Sequence, residues 1–249
     1  MPYVDHARKE LRLKVVYYGV GFGGKTTNLE HLHTNTPPDR RGRLIALNNA
    51  TERTLFFDLL PVDIGRYKDY EVRVHLCTVP GQIAQAGLGQ AVLRHADGVV
   101  LVIDCQPERE SDNQRAIVQL ASDLRSLGQD PAQLPTVVQW NKRDQVGTDG
   151  VARMRAALQI PNGVVQIISS AKRGEGVFET LKAVLKECLS VISQPTHAPP
   201  GHSPSIIPGH RASMYPDAVP GGTAINDAIN DAINDAINDA INDHRSAGA

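Results

Sequence analysis

The sequence predicts a doubly wound α/β domain with a six-stranded, mostly parallel sheet and helices on both faces, followed by a disordered C-terminal tail. Apolar runs alternate with helical patterns over residues 1–194, as is typical of βαβ units. A glycine-rich loop separates the first apolar run from the first helical pattern. At Pro195 the composition changes, because proline becomes frequent and apolar periodicity is lost.

The first half of the domain contains three predicted strands and one helix. Residues 13–19 form an apolar strand, and residues 25–33 form a helix that begins at the glycine-rich loop. Residues 53–60 and 71–79 are two further strands, joined by residues 61–70. This connection is short enough for a hairpin, so we expect these two strands to be antiparallel.

The second half of the domain continues the alternation. The continuous apolar run at residues 98–105 indicates a strand that is covered on both faces. Residues 113–127 form a helix, and residues 136–140 and 163–169 form two short strands. Residues 176–192 close the domain as a helix whose apolar side chains share one face.

The C-terminal segment, residues 195–249, has a different character. Residues 195–220 contain seven of the sixteen prolines and indicate a solvated linker. Residues 224–243 repeat Ala-Ile-Asn-Asp five times. A period of four drifts around a helix of about 3.6 residues per turn, so the isoleucines form no single seam. We expect a disordered tail; the alternative is an amphipathic helix that forms against a partner.

Composition limits the classes of function. The chain is 41% hydrophobic and 21% charged with a net charge of −1, so no overall positive field indicates nucleic-acid binding. The N-terminus lacks a secretory pattern, and no apolar stretch is long enough to span a bilayer. Cys77, Cys105 and Cys188 lie far apart without metal-ligand spacing. We therefore expect a reduced cytoplasmic protein that reaches a membrane only through a partner.

The glycine-rich loop matches the P-loop pattern G-x-x-x-x-G-K-[ST] between a strand and a helix. Glycines let the backbone turn tightly, and N–H groups together with the helix N-terminus can hold phosphate oxygens. Lys25 is expected to reach the β- and γ-phosphates, and the Thr26 hydroxyl to bind Mg²⁺. The alternative is a turn that binds nothing. The predicted phosphate-binding residues of this loop are Gly19, Gly21, Gly23, Gly24, Lys25, Thr26 and Thr27.

A second motif, Asn141-Lys142-Arg143-Asp144, directly follows a predicted strand. The Asp144 carboxylate can accept two hydrogen bonds from the N1–H and N2 amino groups of guanine, which adenine does not offer. The Lys142 stem can cover the base, and Asn141 can tie this loop to the P-loop. Further along the chain, the other side of the base is predicted to be closed by Ser170, Ala171 and Lys172, unless these form an ordinary strand-to-helix turn.

Between these motifs, residues 78–82 correspond to the D-x-x-G-Q segment of guanine-nucleotide switches. Gly81 can bind the γ-phosphate through its N–H, and Gln82 can orient the attacking water. Thr78 stands where the segment normally has an Asp that supports Mg²⁺. Asp58, on the neighbouring predicted strand, is the candidate substitute; the alternative is a solvated charge at a strand edge.

Residues 51–54 lie between the first helix and the second strand, where a switch loop is expected. Thr54 could ligate Mg²⁺ and sense the γ-phosphate. Arg53 could act as an arginine finger in cis, which contributes about 10³–10⁵ in rate where such a residue is positioned. The alternative for Arg53 is a surface arginine beside a strand.

At these residues the chain resembles a Ras-like small GTPase, and most closely the bacterial MglA family of gliding-motility and cell-polarity GTPases. The segments that carry the resemblance cover nearly all of residues 10–190 and are VVYYGVGFGGKTTNLEHLH, ATERTLFFDLLP, TVPGQ, DGVVLVID, VVQWNKRD and GVFETLKAV. The Thr in TVPGQ is itself a mark of this group. The tail after residue 192 lies outside the resemblance.

The resemblance implies GTP, GDP and Mg²⁺ as ligands and a switch that hydrolyses GTP. It implies a roadblock-type, MglB-like GTPase-activating partner that repositions the GTPase's own Arg53 and Gln82, as well as polarity and motility effectors and recruitment to a cell pole. We expect a monomer that binds no nucleic acid and does not insert into membranes. Two alternatives are a non-hydrolysing nucleotide-dependent scaffold and an ATP-dependent enzyme, the latter disfavoured by Asp144.

Overall fold

The computed structural model describes residues 3–47, 57–79 and 86–193. Within these ranges the strands are β1 (Tyr3–Asp5), β2 (Glu10–Gly19), β3 (Ile45–Leu47), β4 (Phe57–Tyr67), β5 (Tyr70–Thr78), β6 (Gly98–Asp104), β7 (Thr136–Asn141) and β8 (Val165–Ile168). The α-helices of the same ranges are α1 (Lys25–Asn35), α2 (Ala86–Leu93), α3 (Glu110–Ser126), α4 (Arg143–Leu158) and α5 (Val177–Ser193). None of these helices combines the length and apolar character needed to cross a membrane.

All eight strands belong to one sheet with the order β3-β4-β5-β2-β6-β7-β8, and β1 pairs with β2. β5, β2, β6, β7 and β8 are parallel, whereas β4 is antiparallel to both β3 and β5. The chain thus places β5 on one side of β2 and β6 on the other. This reversal of strand order opens a crevice at the carboxyl ends of the strands, which is where doubly wound sheets bind ligands.

The predicted α/β class is confirmed, with a mostly parallel sheet and helices on both faces. Each of the six predicted strands has a counterpart among the described residues, although residues 53–56 of the second lie outside them. β1 and β3 add two antiparallel strands. Each of these strands has only three residues, which are too few to show the alternation of apolar and polar side chains typical of a strand. α4 was not predicted either, because it is interrupted at Gly147 and buries few side chains. α2 was not predicted because it spans only eight residues, which is too short for a clear helical period.

The predicted antiparallel hairpin is confirmed, but its connection is shorter than expected. β4 continues to Tyr67, and only Lys68 and Asp69 link it to β5. The predicted connection begins at Pro61, and a proline cannot donate a hydrogen bond to a sheet ladder. In the structure Pro61 still pairs with His75, and its carbonyl accepts a hydrogen bond from Gly42 N–H at 2.8 Å. A proline is therefore tolerated within this long strand.

Alternating side chains of β2 divide the hydrophobic core into two layers. Val15 and Tyr17 face α1 and α5, whereas Val16 and Tyr18 face α2, α3 and α4. This is the two-residue period of a strand that is buried on both faces. The central strand is thus fixed from both sides, and so is the loop that follows it.

A buried carboxylate holds α2 against the sheet. Asp123 of α3 is 1% exposed. It accepts hydrogen bonds from the Tyr18 hydroxyl at 3.2 Å, the Gln90 amide at 3.3 Å and the Gln119 amide at 2.9 Å. Because a buried charge is costly unless it is hydrogen-bonded, these three donors are needed to hold the carboxylate inside. The contact links α2, α3 and the end of β2.

α5 packs onto β6 at a glycine. A Cβ built on Gly98 would lie 2.5 Å from Cys188 Sγ and 3.0 Å from Val184 Cγ2. Both side chains are buried in the core. The close approach of α5 to the sheet therefore depends on the absence of a side chain at this position.

We predict that Gly98→Ala lowers the free energy of unfolding by about 1–3 kcal/mol, because the added methyl group forces α5 away from the sheet. Urea denaturation followed by circular dichroism measures the change. The matched control is Gly163→Ala, since a Cβ at that exposed position meets no atom within 4 Å. Its effect should stay within about 0.5 kcal/mol. Equal effects of the two substitutions would contradict this account of the packing.

Candidate functional site

The predicted binding residues that the structure describes lie at one edge of the sheet. Gly19 ends β2, Asn141 ends β7, and Ser170 follows β8 by two residues. Asp58 lies at the start of the antiparallel β4, which places it at the same edge. The phosphate and base motifs, more than a hundred residues apart in the sequence, are therefore neighbours in the fold.

Side-chain donors bind the carbonyl oxygens of the P-loop. Lys25 Nζ donates to the Gly19 carbonyl at 2.9 Å and to the Val20 carbonyl at 2.6 Å. Asn141 Nδ2 donates to the Gly23 carbonyl at 2.8 Å. Carbonyl oxygens repel an anion, whereas backbone N–H groups and the start of a helix attract it. The loop is thus arranged to favour a phosphate.

Gly24 is required by backbone conformation and by space. It caps α1 with φ 99°, a left-handed conformation that favours glycine. A Cβ at this position would lie 2.2 Å from Asn141 Nδ2. The glycine therefore lets the P-loop contact the loop at residues 141–144, called the base loop below, directly. This explains, in physical terms, the sixth position of the motif.

Lys25 is almost entirely buried, with 7% of its surface exposed. Burial lowers the pKa of its ammonium to about 8, and the Arg109 charge acts in the same direction. The Asp58 carboxylate opposes this shift. A negatively charged ligand beside Nζ would stabilise the ammonium and raise its pKa again.

Thr26, Asp58 and Thr78 form one hydrogen-bonded cluster. Thr26 Oγ1 donates to Asp58 Oδ2 at 2.6 Å, and Thr78 Oγ1 donates to the same oxygen at 3.0 Å. The Asp58 N–H in turn donates to Thr78 Oγ1 at 2.8 Å. Asp58 is 7% exposed, so the alternative of a solvated strand-edge charge is wrong. A carboxylate and hydroxyl oxygens are the hard ligands that suit Mg²⁺.

The Asn141 side chain bridges the P-loop and the segment after β8. While its Nδ2 contacts Gly23, its Oδ1 accepts hydrogen bonds from Ala171 N–H at 2.9 Å and Ser169 Oγ at 3.2 Å. Asn141 is 2% exposed, so these bonds form away from water. One amide group therefore fixes three segments relative to one another.

Asp144 lies in the first turn of α4 and is half-buried. One of its carboxylate oxygens accepts a hydrogen bond from Ser170 Oγ at 2.7 Å. Lys172, two residues further on, is exposed. Ser170 thus orients a carboxylate that a ligand can still reach.

Lys142 adopts a left-handed conformation, with φ 66°, immediately before α4. Its Nζ lies 2.6 Å from Asp104 Oδ2 and donates to Gln106 Oε1 at 2.9 Å. Asp104 is fully buried at the end of β6. The two contacts hold the lysine side chain against the end of β6 and the residues that follow it.

Four further polar residues contribute to the site and lie outside the predicted motifs. Asn28 of α1 donates to the Gly24 carbonyl at 2.8 Å and exchanges hydrogen bonds with Gln139 of β7 at 2.8 and 2.9 Å. Asp104 holds Lys142, and Arg109 contacts the P-loop. Of these four residues, only Asp104 could be noticed in the sequence, because it is the one charged residue in the apolar run at residues 98–105. Arg53, Thr54, Gly81 and Gln82 lie outside the described residues, so their roles remain predictions.

We predict that binding of GDP, the expected ligand, takes up about half a proton at about pH 8, because Lys25 is half neutral without ligand and becomes charged beside phosphate. The terminal phosphate, with a pKa of about 6, is already ionised at that pH. Isothermal titration calorimetry in buffers of different ionisation enthalpy measures the uptake. Identical binding enthalpies in all buffers would contradict the prediction.

Comparison with known proteins places the chain in a family. No protein-family model matches the sequence. The mutual gliding-motility protein MglA of Myxococcus xanthus (strain DK1622) is 40% identical over 194 residues, which cover 78% of this chain and 99% of the relative. This identity spans almost the whole relative, and the fold and the loops at its carboxyl edge agree with the resemblance. The chain belongs to the MglA family of bacterial Ras-like small GTPases.

Proposed function

We propose that this chain binds GTP and GDP together with Mg²⁺, hydrolyses GTP and acts as a molecular switch that controls cell polarity and gliding or twitching motility. The observation that supports it most strongly is the Asn141 amide, which joins the phosphate loop to the base loop at 2.8 and 2.9 Å. The name of the Myxococcus relative supports the motility role.

In this proposal the P-loop holds the phosphates. Lys25 supplies the charge for the β- and γ-phosphates, and the loop glycines supply N–H groups. Asp144, oriented by Ser170 at 2.7 Å, accepts the two donors of the guanine edge. A base without these donors would leave a desolvated carboxylate unpaired, which gives strong discrimination. Lys142 and the segment Ser170, Ala171 and Lys172 flank the base.

The cluster around Asp58 fits Mg²⁺. Thr26 can offer a hydroxyl lone pair to the metal while its O–H still donates a hydrogen bond to Asp58 Oδ2, 2.6 Å away. Asp58, held by Thr78, would support the metal through water in place of the missing aspartate, and Thr54 would complete the set from the switch loop. When bound, Mg²⁺ supplies positive charge to the β- and γ-phosphate oxygens.

Hydrolysis requires the groups of the switch segments. Gln82 would orient the attacking water, Gly81 N–H would bind the γ-phosphate, and Arg53 would stabilise the negative charge that develops during transfer. We propose that a roadblock-type, MglB-like partner repositions Arg53 and Gln82 and does not insert a finger of its own. The GTP and GDP states then order the switch loops differently, and polarity and motility effectors bind one state.

At the level of the cell, we propose a monomeric cytoplasmic protein that partners recruit to a pole, without nucleic acid and without direct insertion into membrane. Residues 1–194 form the GTPase domain, and residues 195–249 form the proline-rich linker and repeat tail. The tail carries two basic and six acidic residues, so it differs in charge from the domain.

A second candidate is a scaffold that binds nucleotide without hydrolysing it; Arg53 and Gln82, both present in the sequence, favour the switch over this scaffold. Multiple-turnover release of phosphate from GTP, with and without the roadblock partner, separates the two functions. If the chain is a GTPase switch, we expect phosphate release that the partner accelerates. No release in either condition would contradict the enzyme hypothesis. Displacement of labelled GDP by GTP but not by ATP tests the choice of base.

We predict that Arg53→Ala binds GTP as tightly as the parent protein but loses partner-stimulated hydrolysis by about 10³-fold, because a positioned arginine contributes 10³–10⁵ in rate. Single-turnover hydrolysis with saturating partner measures the loss. The matched control is Arg43→Ala, which removes an exposed arginine outside the predicted switch segment. Equal stimulated rates for Arg53→Ala and the parent would refute the finger role.

We predict that truncation after Gln194 leaves the GDP dissociation constant within about threefold of the full chain, since the tail lies outside the proposed domain. Equilibrium titration with a fluorescent GDP analogue measures it. The control is the same truncation in the Lys25→Met background, which should bind weakly at either length. A large loss caused by truncation alone would show that the domain extends into the tail.

A further inference from the structure

Phe22 occupies an unusual conformation in the middle of the P-loop. Its φ is +60°, in the left-handed region that L side chains rarely adopt. Phe22 is 89% exposed, so packing of the side chain does not hold the backbone in place. Something other than a hydrophobic contact must stabilise this part of the loop.

Arg109 contacts the loop at this position. It ends the short 3-10 turn Pro107–Arg109 that follows β6, and its Nη2 donates to the Gly21 carbonyl at 2.6 Å. The same guanidinium lies 2.7 Å from Asp112 Oδ2 through Nη1 and 3.7 Å from Asp104 Oδ2 through Nε. Two carboxylates therefore fix the fork of the guanidinium, and one nitrogen remains for the loop.

The contact controls the orientation of one peptide group. In a trans peptide the carbonyl and the next N–H point in opposite directions. With the Gly21 carbonyl held by Arg109, the Phe22 N–H points to the side away from the guanidinium. Lys25 and Asn141 already bind the Gly19, Val20 and Gly23 carbonyls. Arg109 holds the carbonyl that lies between them.

We propose that Arg109 is a positioning residue for nucleotide binding. It holds the Gly21–Phe22 peptide with its N–H available to phosphate and stabilises the left-handed backbone of Phe22. The inference rests on the proposed binding of phosphate by this loop. A loop that adopts the competent conformation only part of the time binds ligand more weakly by that fraction.

The chain offers a close control. Arg115 forms an ion pair with Asp112, the same carboxylate that contacts Arg109. Arg115 lies further along α3 and is mostly exposed, with 64% of its side chain accessible. Removing it changes the charge and the partner of Asp112 while leaving the contact between Arg109 and Gly21 in place.

The test is the GDP dissociation constant of Arg109→Met, Arg109→Lys and Arg115→Met, each with and without Phe22→Gly. In the Phe22 background we expect Arg109→Met and Arg109→Lys to weaken binding by about tenfold or more, since neither side chain has the fork that reaches two carboxylates and a carbonyl. Arg115→Met should change binding less than about twofold. With Phe22→Gly, the loss caused by Arg109→Met should shrink to less than about threefold, because glycine adopts the left-handed conformation freely.

Two outcomes would overturn the proposal. Full affinity of Arg109→Lys would show that charge alone matters, and an equal loss in both backgrounds would show that Arg109 does not act through Phe22. Thermal denaturation of each variant identifies any loss that reflects unfolding.

Hydrogen exchange of residues 20–24 without ligand is a second readout, and Arg109→Met should speed it in the Phe22 background only. If the parent protein binds no GDP, the proposed function fails, while this exchange still decides whether Arg109 orders the loop.

Discussion

The carboxamide of Asn141 is the constraint on which the site depends. It is 2% exposed and contacts the Gly23 carbonyl on one side and Ala171 N–H on the other. The contact is possible because Gly24 has no Cβ. Asn28 donates to the Gly24 carbonyl and exchanges buried hydrogen bonds with Gln139, which lies two residues before Asn141. This bridge fixes the loop after β2 relative to the segment after β8.

The site also shows how a fold prepares buried charge for a ligand. Lys25 is nearly inaccessible and its pKa is lowered by burial, while the carboxylate of Asp58 is held by two hydroxyl groups. Burial disfavours the charged form of Lys25, and an anionic ligand beside Nζ would favour that form again. Burial of this ammonium in the free protein therefore prepares it for an anion.

Much of the fold and the motif positions could be predicted from the sequence. The six main strands follow from apolar runs, and the P-loop and Asn141–Asp144 are contiguous segments whose chemistry depends on local order. The missing carboxylate at position 78 indicates Asp58 as its substitute, and the structure brings Thr78 and Asp58 together. Contacts between distant segments could not be predicted. Arg109 contacts Gly21, which lies 88 positions earlier in the sequence. The residues next to an arginine do not reveal whether its side chain is solvated or binds a distant loop.

The most direct test of the account is the affinity of Asn141→Ala for GDP and for pyrophosphate, measured by competition with a fluorescent GDP analogue. Removing the amide breaks bonds to both loops, so we predict that both ligands bind about tenfold or more weakly, as expected when buried partners lose their hydrogen bonds. Ser170→Ala, which disturbs only the orientation of Asp144, should weaken GDP binding and leave pyrophosphate binding unchanged. Unchanged pyrophosphate binding by Asn141→Ala would contradict the claim that this side chain joins the two halves of the site.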